Sequence, residues 1–275
     1  MIFYKTSSFG NDFIEIDSSE LASLQGGRSL GDLAREICDR QRGVGADGAV
    51  FYRFEKRRFF FEIFNRDGST AELSGNGMAG LAAVLLHRRL AASPLLLQAA
   101  IGTRRVDLLA RRGPVFQFDV EIGRPDFSNR KSFPFLKHGQ ERFTCEGLEF
   151  YPVSVGNPHA VVFCRERLDH ARLAVLGKKL ESHPMFPARV NVEFVQFTDA
   201  ENCRVFFYER GVGPTLASST GSAAVFAVLR RLGKVKDRLA IECGTEKIVA
   251  SWKRGIFIHN LTRLICRGNY FGQSG

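Results

Sequence analysis

The sequence predicts an α+β protein of two pseudo-symmetric lobes, each a curled, mainly antiparallel sheet around a central helix. Two short Gly/Ser turns, at 73–77 and 217–221, are the first observation behind this prediction. Each turn opens a stretch that is apolar on nearly every face, at 76–90 and 220–232, which is typical of a buried helix. Self-similarity at one fixed offset indicates two copies of one unit.

Other motifs return at nearly the same offset, which extends the repeat along the chain. The further pairs are 10–13 with 156–159, 64–66 with 208–210, and, more weakly, 42–52 with 188–197. The predicted lobes are residues 1–125 and 126–275. A stretch at 121–134 that contains Gly, Pro, Ser and Asn looks like a connector between them.

Short apolar or alternating runs predict the strands of both lobes. These runs are 2–5, 13–17, 49–53, 59–64, 95–101, 104–110, 115–120, 148–155, 160–164, 191–197, 203–209, 238–243, 246–251 and 255–261. Two further helices are predicted outside the central ones, at Ser29–Arg40 and Asp169–Leu180. In the first of these, Ser29 and Asp32 are spaced like a capping box.

Composition excludes several classes of protein. The chain has 275 residues, 44% of them hydrophobic, which suffices for two ordinary cores. The net charge of +10 comes from short basic clusters at helix and strand ends, without a nucleic-acid motif, so we expect no nucleic-acid partner. No apolar run is long enough to span a membrane and no signal peptide is visible, so we expect a cytoplasmic protein without a membrane partner. The six cysteines are widely spaced, so reduced thiols are expected rather than a metal site.

The two turns are the candidate functional sites. A buried helix with small residues at its N-terminus presents backbone N–H groups and a positive dipole end, which bind carboxylate or phosphate. Two such ends, facing each other across the lobes, would hold one acid group. The alternative is ordinary helix capping, since Ser is a favoured cap residue. An Arg/Glu pair and several Asn amides would suit a zwitterionic amino acid. The candidate residues are Asn11, Asn65, Gly75, Asn76, Asn157, Asn191, Glu209, Arg210, Ser219 and Thr220, with Ser74 and Ser218 at the helix ends.

Seven motifs, in order, resemble those of the diaminopimelate epimerase family over essentially the whole chain. They lie at Phe9–Phe13, Arg42–Gly48, Phe64–Ser69, Gly156–His159, Asn191–Phe194, Glu209–Gly213 and Thr220–Gly221. The resemblance implies the fold of two similar lobes predicted above and a small-molecule amino-acid substrate held between the lobes. It also implies 1,1-proton transfer without a cofactor or metal. It places the protein in amino-acid metabolism, with lysine biosynthesis as the usual setting of the family, and a homodimer is a further expectation.

The resemblance also assigns roles to single residues. The distal end of the amino acid would be held by Asn65, Asn157, Asn191, Glu209 and Arg210. The carboxylate at the reacting carbon would be bound by Gly75, Asn76, Ser219 and Thr220, with Asn11 nearby.

The main departure from the family pattern lies at the two reacting positions. The family has a cysteine at each, and this chain has Ser74 and Ser218. A helix N-terminus can drive a thiol to thiolate, whereas a hydroxyl is a weaker acid that needs a neighbouring base. We therefore expect altered or weak proton transfer. Further departures at Gly48, Ala79, Gly80 and Ser219 favour natural divergence over engineered serines.

Three hypotheses remain open at this point. The chain is an epimerase-like isomerase with weak activity, a family member redirected to double-bond isomerisation, lyase or cyclase chemistry, or a ligand-binding protein without catalysis. His159 is a candidate acid or base in the turn at 156–159, and its alternative is a structural hydrogen-bonding role.

Overall fold

A computed structural model describes residues 1–23, 29–164 and 170–271. The described residues form four α-helices and seventeen strands. They divide into two compact units, Met1–Glu121 with Asn260–Gly275, and Ile122–His259. No helix in these ranges is both long and apolar enough to cross a membrane.

The first unit begins with a hairpin and carries its buried helix in the middle of its sequence. Its elements are β1 (Ile2–Ser8), β2 (Asn11–Asp17), a 3-10 helix (Ser18–Ser23), α1 (Leu30–Ile37), β3 (Gly48–Glu55), β4 (Arg58–Asn65), β5 (Thr70–Ala71), α2 (Gly75–His87), β6 (Leu95–Ala99), β7 (Gly102–Arg112) and β8 (Val115–Gly123).

The second unit repeats this order of elements. It contains β9 (Phe143–Cys145), β10 (Leu148–Ser154), β11 (Pro158–Phe163), α3 (His170–Glu181), β12 (Asn191–Phe197), β13 (Asn202–Glu209), β14 (Gly213–Thr215), α4 (Ser219–Arg231), β15 (Arg238–Cys243) and β16 (Glu246–Trp252). The last strand, β17 (Ile256–Asn269), begins in the second unit and ends in the first.

The strand pairing is also the same in both units. Antiparallel pairs predominate, and each unit has two parallel pairs: β2–β3 and β4–β6 in the first, β11–β12 and β13–β15 in the second. Each parallel pair is separated in sequence by one helix, because parallel neighbours need a crossover connection. The predicted curled, mainly antiparallel α+β architecture is therefore confirmed.

The helices α2 and α4 form the centres of the two cores. Residues 75–85 of α2 and 219–229 of α4 are all buried. The apolar stretches on every face predicted this burial, since a helix without a polar face cannot lie against water. Each fully buried Leu, Met, Val or Phe side chain on these helices contributes about 1.5–3 kcal/mol to the stability of its unit.

The helices α1 and α3 form outer layers over separate clusters. In α1, the Ser29 hydroxyl accepts the N–H of Asp32 and donates to its carboxylate, as the predicted capping pattern requires. Leu33, Ala34 and Ile37 of α1 pack against strand residues of the first unit. Leu173 and Leu180 of α3 pack into a cluster rich in phenylalanine, with Phe133, Phe143, Phe150, Phe186 and Phe194. Asp169, the predicted start of this helix, lies outside the described residues.

Three short strands and one long extension were not predicted. The strands β5, β9 and β14 have only two or three residues each, too few to show a periodic pattern. The extension is the end of β17, which pairs antiparallel with β1 from Ile2↔Asn269 to Ser8↔Thr262. This pairing returns residues from Asn260 onward to the first unit, whereas the predicted boundary at 125/126 places them in the second lobe.

A buried carboxyl group lies beneath α2. Glu15 on β2 is fully buried, and its Oε1 accepts a hydrogen bond from Thr6 Oγ1 at 2.6 Å. A Cβ at Gly80 of α2 would overlap both oxygens of this pair, so a larger residue there would require both side chains to move. Burial raises the pKa of Glu15 to about 8, against the smaller lowering effect of the Thr6 hydrogen bond.

Glu15→Gln should therefore remove a pH dependence of stability. The raised pKa means that the native state holds a proton which the unfolded chain releases above its ordinary value of 4.5. The contribution of this proton to the free energy of unfolding is fully present below that value. It falls as the pH rises toward 8, by up to about 1.4 kcal/mol per pH unit. Urea unfolding at pH 5, 7 and 8.5 measures this loss. Glu62→Gln, at an exposed position on β4, is the control, and an equal pH dependence in wild type and Glu15→Gln would contradict the prediction.

Candidate functional site at two serine-capped helix ends

The two buried helices begin with the same serine cap. Ser74 precedes α2 with φ −142° and ψ 117°, and Ser218 precedes α4 with φ −138° and ψ 123°. Each serine Oγ accepts the N–H of the glycine three residues on, Gly77 or Gly221, at 3.1 Å. The extended backbone and the side-chain acceptor are those of an N-cap.

Helix geometry gives the first-turn N–H groups no carbonyl within the helix. The first bond that follows the helix pattern runs from Met78 N to Ser74 O at 3.0 Å in α2, and from Ser222 N to Ser218 O at 2.9 Å in α4. The N–H groups before it lie at the positive end of the dipole, where an anionic group is stabilised by about 0.3–1 kcal/mol or more. Each helix end can therefore bind a carboxylate.

In the first unit, the predicted residues Asn11 and Asn76 lie in one polar chain. Asn76 Nδ2 donates to Asn11 Oδ1 at 3.0 Å, and Asn76 Oδ1 accepts from Asn260 Nδ2 at 2.8 Å. The chain continues through Thr262 Oγ1, which donates to Asn260 Oδ1 at 2.7 Å. These contacts fix the direction of every amide beside the start of α2.

A charged cluster anchors Asn11 from the other side. Asn11 Nδ2 donates to Asp47 Oδ2 at 3.0 Å, and Arg40 bridges Asp47 and Asp12 at 2.8 Å each. Burial raises the pKa of Asp12, but bonds from Arg40 and Lys5 outweigh it and hold that pKa below its ordinary value. Asp12 and Asp47 therefore act as acceptors that orient the loop around Asn11.

Asn65 takes a different place in the first unit. It ends β4, and its Nδ2 donates to Ser69 Oγ at 3.0 Å across the turn to β5. Its register partner is Gly48, where a Cβ would lie 2.7 Å from Phe64 O and 2.8 Å from the Phe13 ring. Gly48 is one of the departures from the family pattern. Packing against Phe64 and Phe13 therefore requires a glycine at this position in this chain.

The second unit brings Asn157, Thr220 and Ser218 together. Asn157 Nδ2 lies 3.5 Å from Thr220 Oγ1, which lies 3.4 Å from Ser218 Oγ. Asn191 lies at the adjacent turn, where its Nδ2 donates to Pro158 O at 2.9 Å and its Oδ1 accepts from Arg210 N at 3.0 Å.

The remaining predicted residues of the second unit are Glu209, Arg210 and Ser219. Glu209 ends β13 beside Arg210, whose guanidinium donates to Ala188 O at 3.2 Å. Ser219 is the first residue of α4 and is buried.

His159 is held between two partners within the second unit. Its Nδ1 lies 2.7 Å from Glu193 Oε1 and its Nε2 lies 2.9 Å from Asn157 Oδ1. Both side chains of this contact are almost fully buried, at 0% exposed for His159 and 2% for Glu193. Because both ring nitrogens are engaged, the structural role proposed for this histidine fits better than the acid/base role.

The cysteines do not supply a reactive thiol near these turns. All six lie in the described ranges as free thiols, and Cys38, Cys145, Cys203 and Cys243 are buried. Burial raises the pKa of Cys38 to about 12 and that of Cys164 to about 11. Raised values oppose the thiolate form that proton abstraction requires. Among the described residues, no group of three His, Cys, Asp or Glu side chains is placed to hold a metal ion.

The residues of these networks that the sequence did not indicate as candidates include Asp47, Glu193, Asn260 and Thr262. Glu193 could have been found, because a carboxylate between apolar residues on an inward strand face signals a buried partner. Asn260 and Thr262 lie on β17, where nothing local in the sequence indicates that the strand reaches α2.

Similarity to solved structures defines the class of fold. A hydroxyproline epimerase from Agrobacterium vitis superposes with a TM-score of 0.67 at 16% identity, covering 98% of this chain and 90% of that chain. A phenazine biosynthesis protein of the PhzF family from Bacillus anthracis superposes with a TM-score of 0.62 at 13% identity, covering 98% of both chains. At such identities the likeness concerns the fold alone.

Sequence similarity is more specific. The profile of the diaminopimelate epimerase family matches residues 3–127 and 151–255. Diaminopimelate epimerase of Carboxydothermus hydrogenoformans is 33% identical over 98% of this chain and 100% of its own length, and that of Acaryochloris marina is 34% identical over 91% and 90%. The chain therefore belongs to the diaminopimelate epimerase family and is an isomerase-family enzyme.

Ser218→Ala should lower the free energy of unfolding by about 1 kcal/mol, because the N–H of Gly221 loses its acceptor at the start of a buried helix. Urea unfolding measures the loss. Ser222→Ala in the same helix is the matched control, since the Ser222 hydroxyl is buried without a hydrogen-bond partner among the described residues. Equal losses for the two variants would contradict the capping role.

Proposed function

We propose that this chain is a cofactor-independent, epimerase-like isomerase that binds a diaminopimelate-like amino acid and transfers its α-proton weakly. The curated relatives are diaminopimelate epimerases, which supports a substrate of this class. The observation that supports the proposal is the pair of serine caps at the starts of α2 and α4, which we assign to the two reacting positions of the family pattern.

The serine contacts explain why the transfer should be weak. Each Oγ already accepts a backbone N–H at 3.1 Å. Within the described ranges, no carboxylate, imidazole or amine forms a hydrogen bond with either Oγ. A hydroxyl without a base is a poor proton acceptor and a poor donor, whereas a thiol at a helix N-terminus is readily ionised. The geometry therefore supports ligand binding more directly than rapid catalysis.

The roles proposed for the other residues follow the family pattern. The first-turn N–H groups of α2 and α4 would bind the carboxylate next to the reacting carbon. Asn65, Asn157, Asn191, Glu209 and Arg210 would hold the distal amino-acid group. In the second unit, the contact between Asn191 and the N–H of Arg210 supports a common role for these two residues.

Proton exchange in deuterated water tests the reaction. Wild-type protein incubated with meso- or L,L-diaminopimelate should incorporate α-deuterium slowly, detected by mass spectrometry. The double variant Ser74→Cys/Ser218→Cys should raise the rate by roughly 10²–10⁴, the usual contribution of a positioned acid or base.

Ser222→Cys is the control for a thiol placed elsewhere in α4, and it should leave the rate unchanged. If the double variant gives no gain although calorimetry shows binding, the chemistry of the site differs from proton transfer at an α-carbon. If neither binding nor exchange occurs with either isomer, the proposed substrate class is wrong.

Arg210→Ala should weaken binding of diaminopimelate by roughly 2–5 kcal/mol, because it removes the guanidinium partner of a desolvated carboxylate. Isothermal titration calorimetry measures the change. Arg204→Ala on β13 is the control, since Arg204 is exposed and pairs with Glu242 at 3.4 Å. Equal affinities of the two variants would remove Arg210 from the binding site.

A further inference from the structure

The turn at 209–211, which carries Glu209 and Arg210, is bonded to a carboxylate at the end of α3. Glu181 is the last residue of this helix, and its side chain is only 2% exposed. Its Oε1 accepts the N–H of Gly211 at 3.1 Å. The residue directly after Arg210 is therefore attached to α3 through a buried acceptor.

The same residue holds the loop at 188–190, which leads into Asn191. Arg189 Nη1 donates to Glu181 Oε1 at 3.3 Å, and the N–H of Val190 donates to the backbone oxygen of Glu181 at 3.3 Å. Glu181 thus contacts both this loop and the turn described above.

Arg210 joins the same two segments. Its backbone N–H donates to Asn191 Oδ1 at 3.0 Å, and its Nη1 donates to Ala188 O at 3.2 Å. A guanidinium is a rigid fork of donors, so a bond from one nitrogen sets the direction in which the others point. The orientation of the Arg210 fork therefore depends on the separation of the loop and the turn, and Glu181 bridges both.

The first unit has an outer-helix contact at the equivalent position. The repeat aligns 64–66 with 208–210, so Asp67 corresponds to Gly211. Arg35 Nε of α1 donates to Asp67 O at 3.0 Å. In both units, the residue after the aligned arginine is bonded to the outer helix, once through its carbonyl oxygen and once through its N–H. This recurrence indicates that the outer helix sets the position of the turn.

The helix α3 has contacts besides Glu181 that dock it. Its apolar residues pack into the phenylalanine cluster, and a Cβ at Gly177 would lie 2.3 Å from the Tyr208 ring. By contrast, Glu181 Oε2 has no hydrogen-bond partner among the described residues, and its ion pair with the exposed Lys178 spans 3.9 Å. A buried carboxylate with an unbonded oxygen adds little to helix packing. We therefore expect α3 to stay docked when this carboxylate is removed.

We infer that Glu181 is a positioning residue, which holds the 209–211 turn and the 188–190 loop at a fixed separation and thereby orients the guanidinium of Arg210. A fixed guanidinium suits a planar carboxylate at the distal end of the ligand, which it can bind through two parallel hydrogen bonds. The part concerning the ligand rests on the proposed function. The bond between Gly211 and Glu181 and its effect on the turn do not.

The direct test uses the ligand-free protein and two variants of similar side-chain size. Glu181→Gln keeps an oxygen that can accept the Gly211 N–H, whereas Glu181→Met has only a weakly accepting sulfur. Amide hydrogen exchange at Gly211, followed in ¹H–¹⁵N spectra, should be roughly tenfold faster in the Met variant than in wild type, and within about threefold of wild type in the Gln variant. An equal rate in wild type and the Met variant would overturn the inference, whatever the protein binds or catalyses.

Calorimetry with diaminopimelate tests the effect on Arg210. The Kd should rise about tenfold in Glu181→Met, less than in Arg210→Ala, because the guanidinium is still present but no longer held. Glu181→Gln should bind within about threefold of wild type, since it retains the acceptor. An unchanged Kd in the Met variant with a lower midpoint of thermal unfolding would show a merely structural carboxylate and overturn the inference. Equal losses of affinity in the Met and Gln variants would also overturn it.

Lys178→Met is the control on the same helix. It removes the exposed ammonium 3.9 Å from Glu181 Oε2 and leaves the acceptor of the Gly211 N–H in place, so the Kd should stay unchanged. A rise as large as that in Glu181→Met would assign the effect to the charge of α3 and contradict the positioning role.

A mutant cycle shows whether Glu181 acts through Arg210. In an Arg210→Lys background, Glu181→Met should change the Kd by less than about twofold, because no guanidinium fork remains to be oriented. An unreduced effect in this background would overturn the inference. If wild-type protein binds no diaminopimelate, the proposed function fails, and exchange at Gly211 alone decides whether Glu181 positions the turn.

Discussion

Burial of residues 75–85 of α2 and 219–229 of α4 is the constraint on which the rest of the structure depends. A buried helix start cannot rely on water for its N–H groups, so acceptors must come from the chain itself. Ser74 and Ser218 provide one acceptor each. Other polar groups at these ends must come from strands that the sheet brings there. The polar clusters of both units therefore follow from the burial of apolar helices.

The two units share a cap but differ in the chemistry around it. The α2 end is surrounded by amides and hydroxyls from β17, with Asp47 behind Asn11. The α4 end has a buried imidazole–carboxylate pair at the positions where the first unit has apolar side chains. A repeated fold thus gives two helix ends with the same backbone and different hydrogen-bonding character.

Much of the fold could be predicted from the sequence because its strongest signals are local. The apolar stretches after the two turns identified the buried helices, and the repeat identified equivalent elements in the two halves. The family motifs contain Asn11, Asn157 and Thr220, and the two Gly/Ser turns contain Asn76 and the two serines. What could not be predicted depends on long-range register: β17 reaches β1 only in the folded chain, so Asn260 and Thr262 had no visible connection to α2. Pairs such as His159 and Glu193 also arise only when two strands lie side by side.

The close packing of Gly80 against Glu15 couples two positions that are far apart in sequence. At position 80 this chain has no side chain, and the space is taken by the Glu15 carboxyl and the Thr6 hydroxyl. A larger residue there would have to displace both groups, so the effect of a change at position 80 depends on what the chain carries at positions 6 and 15.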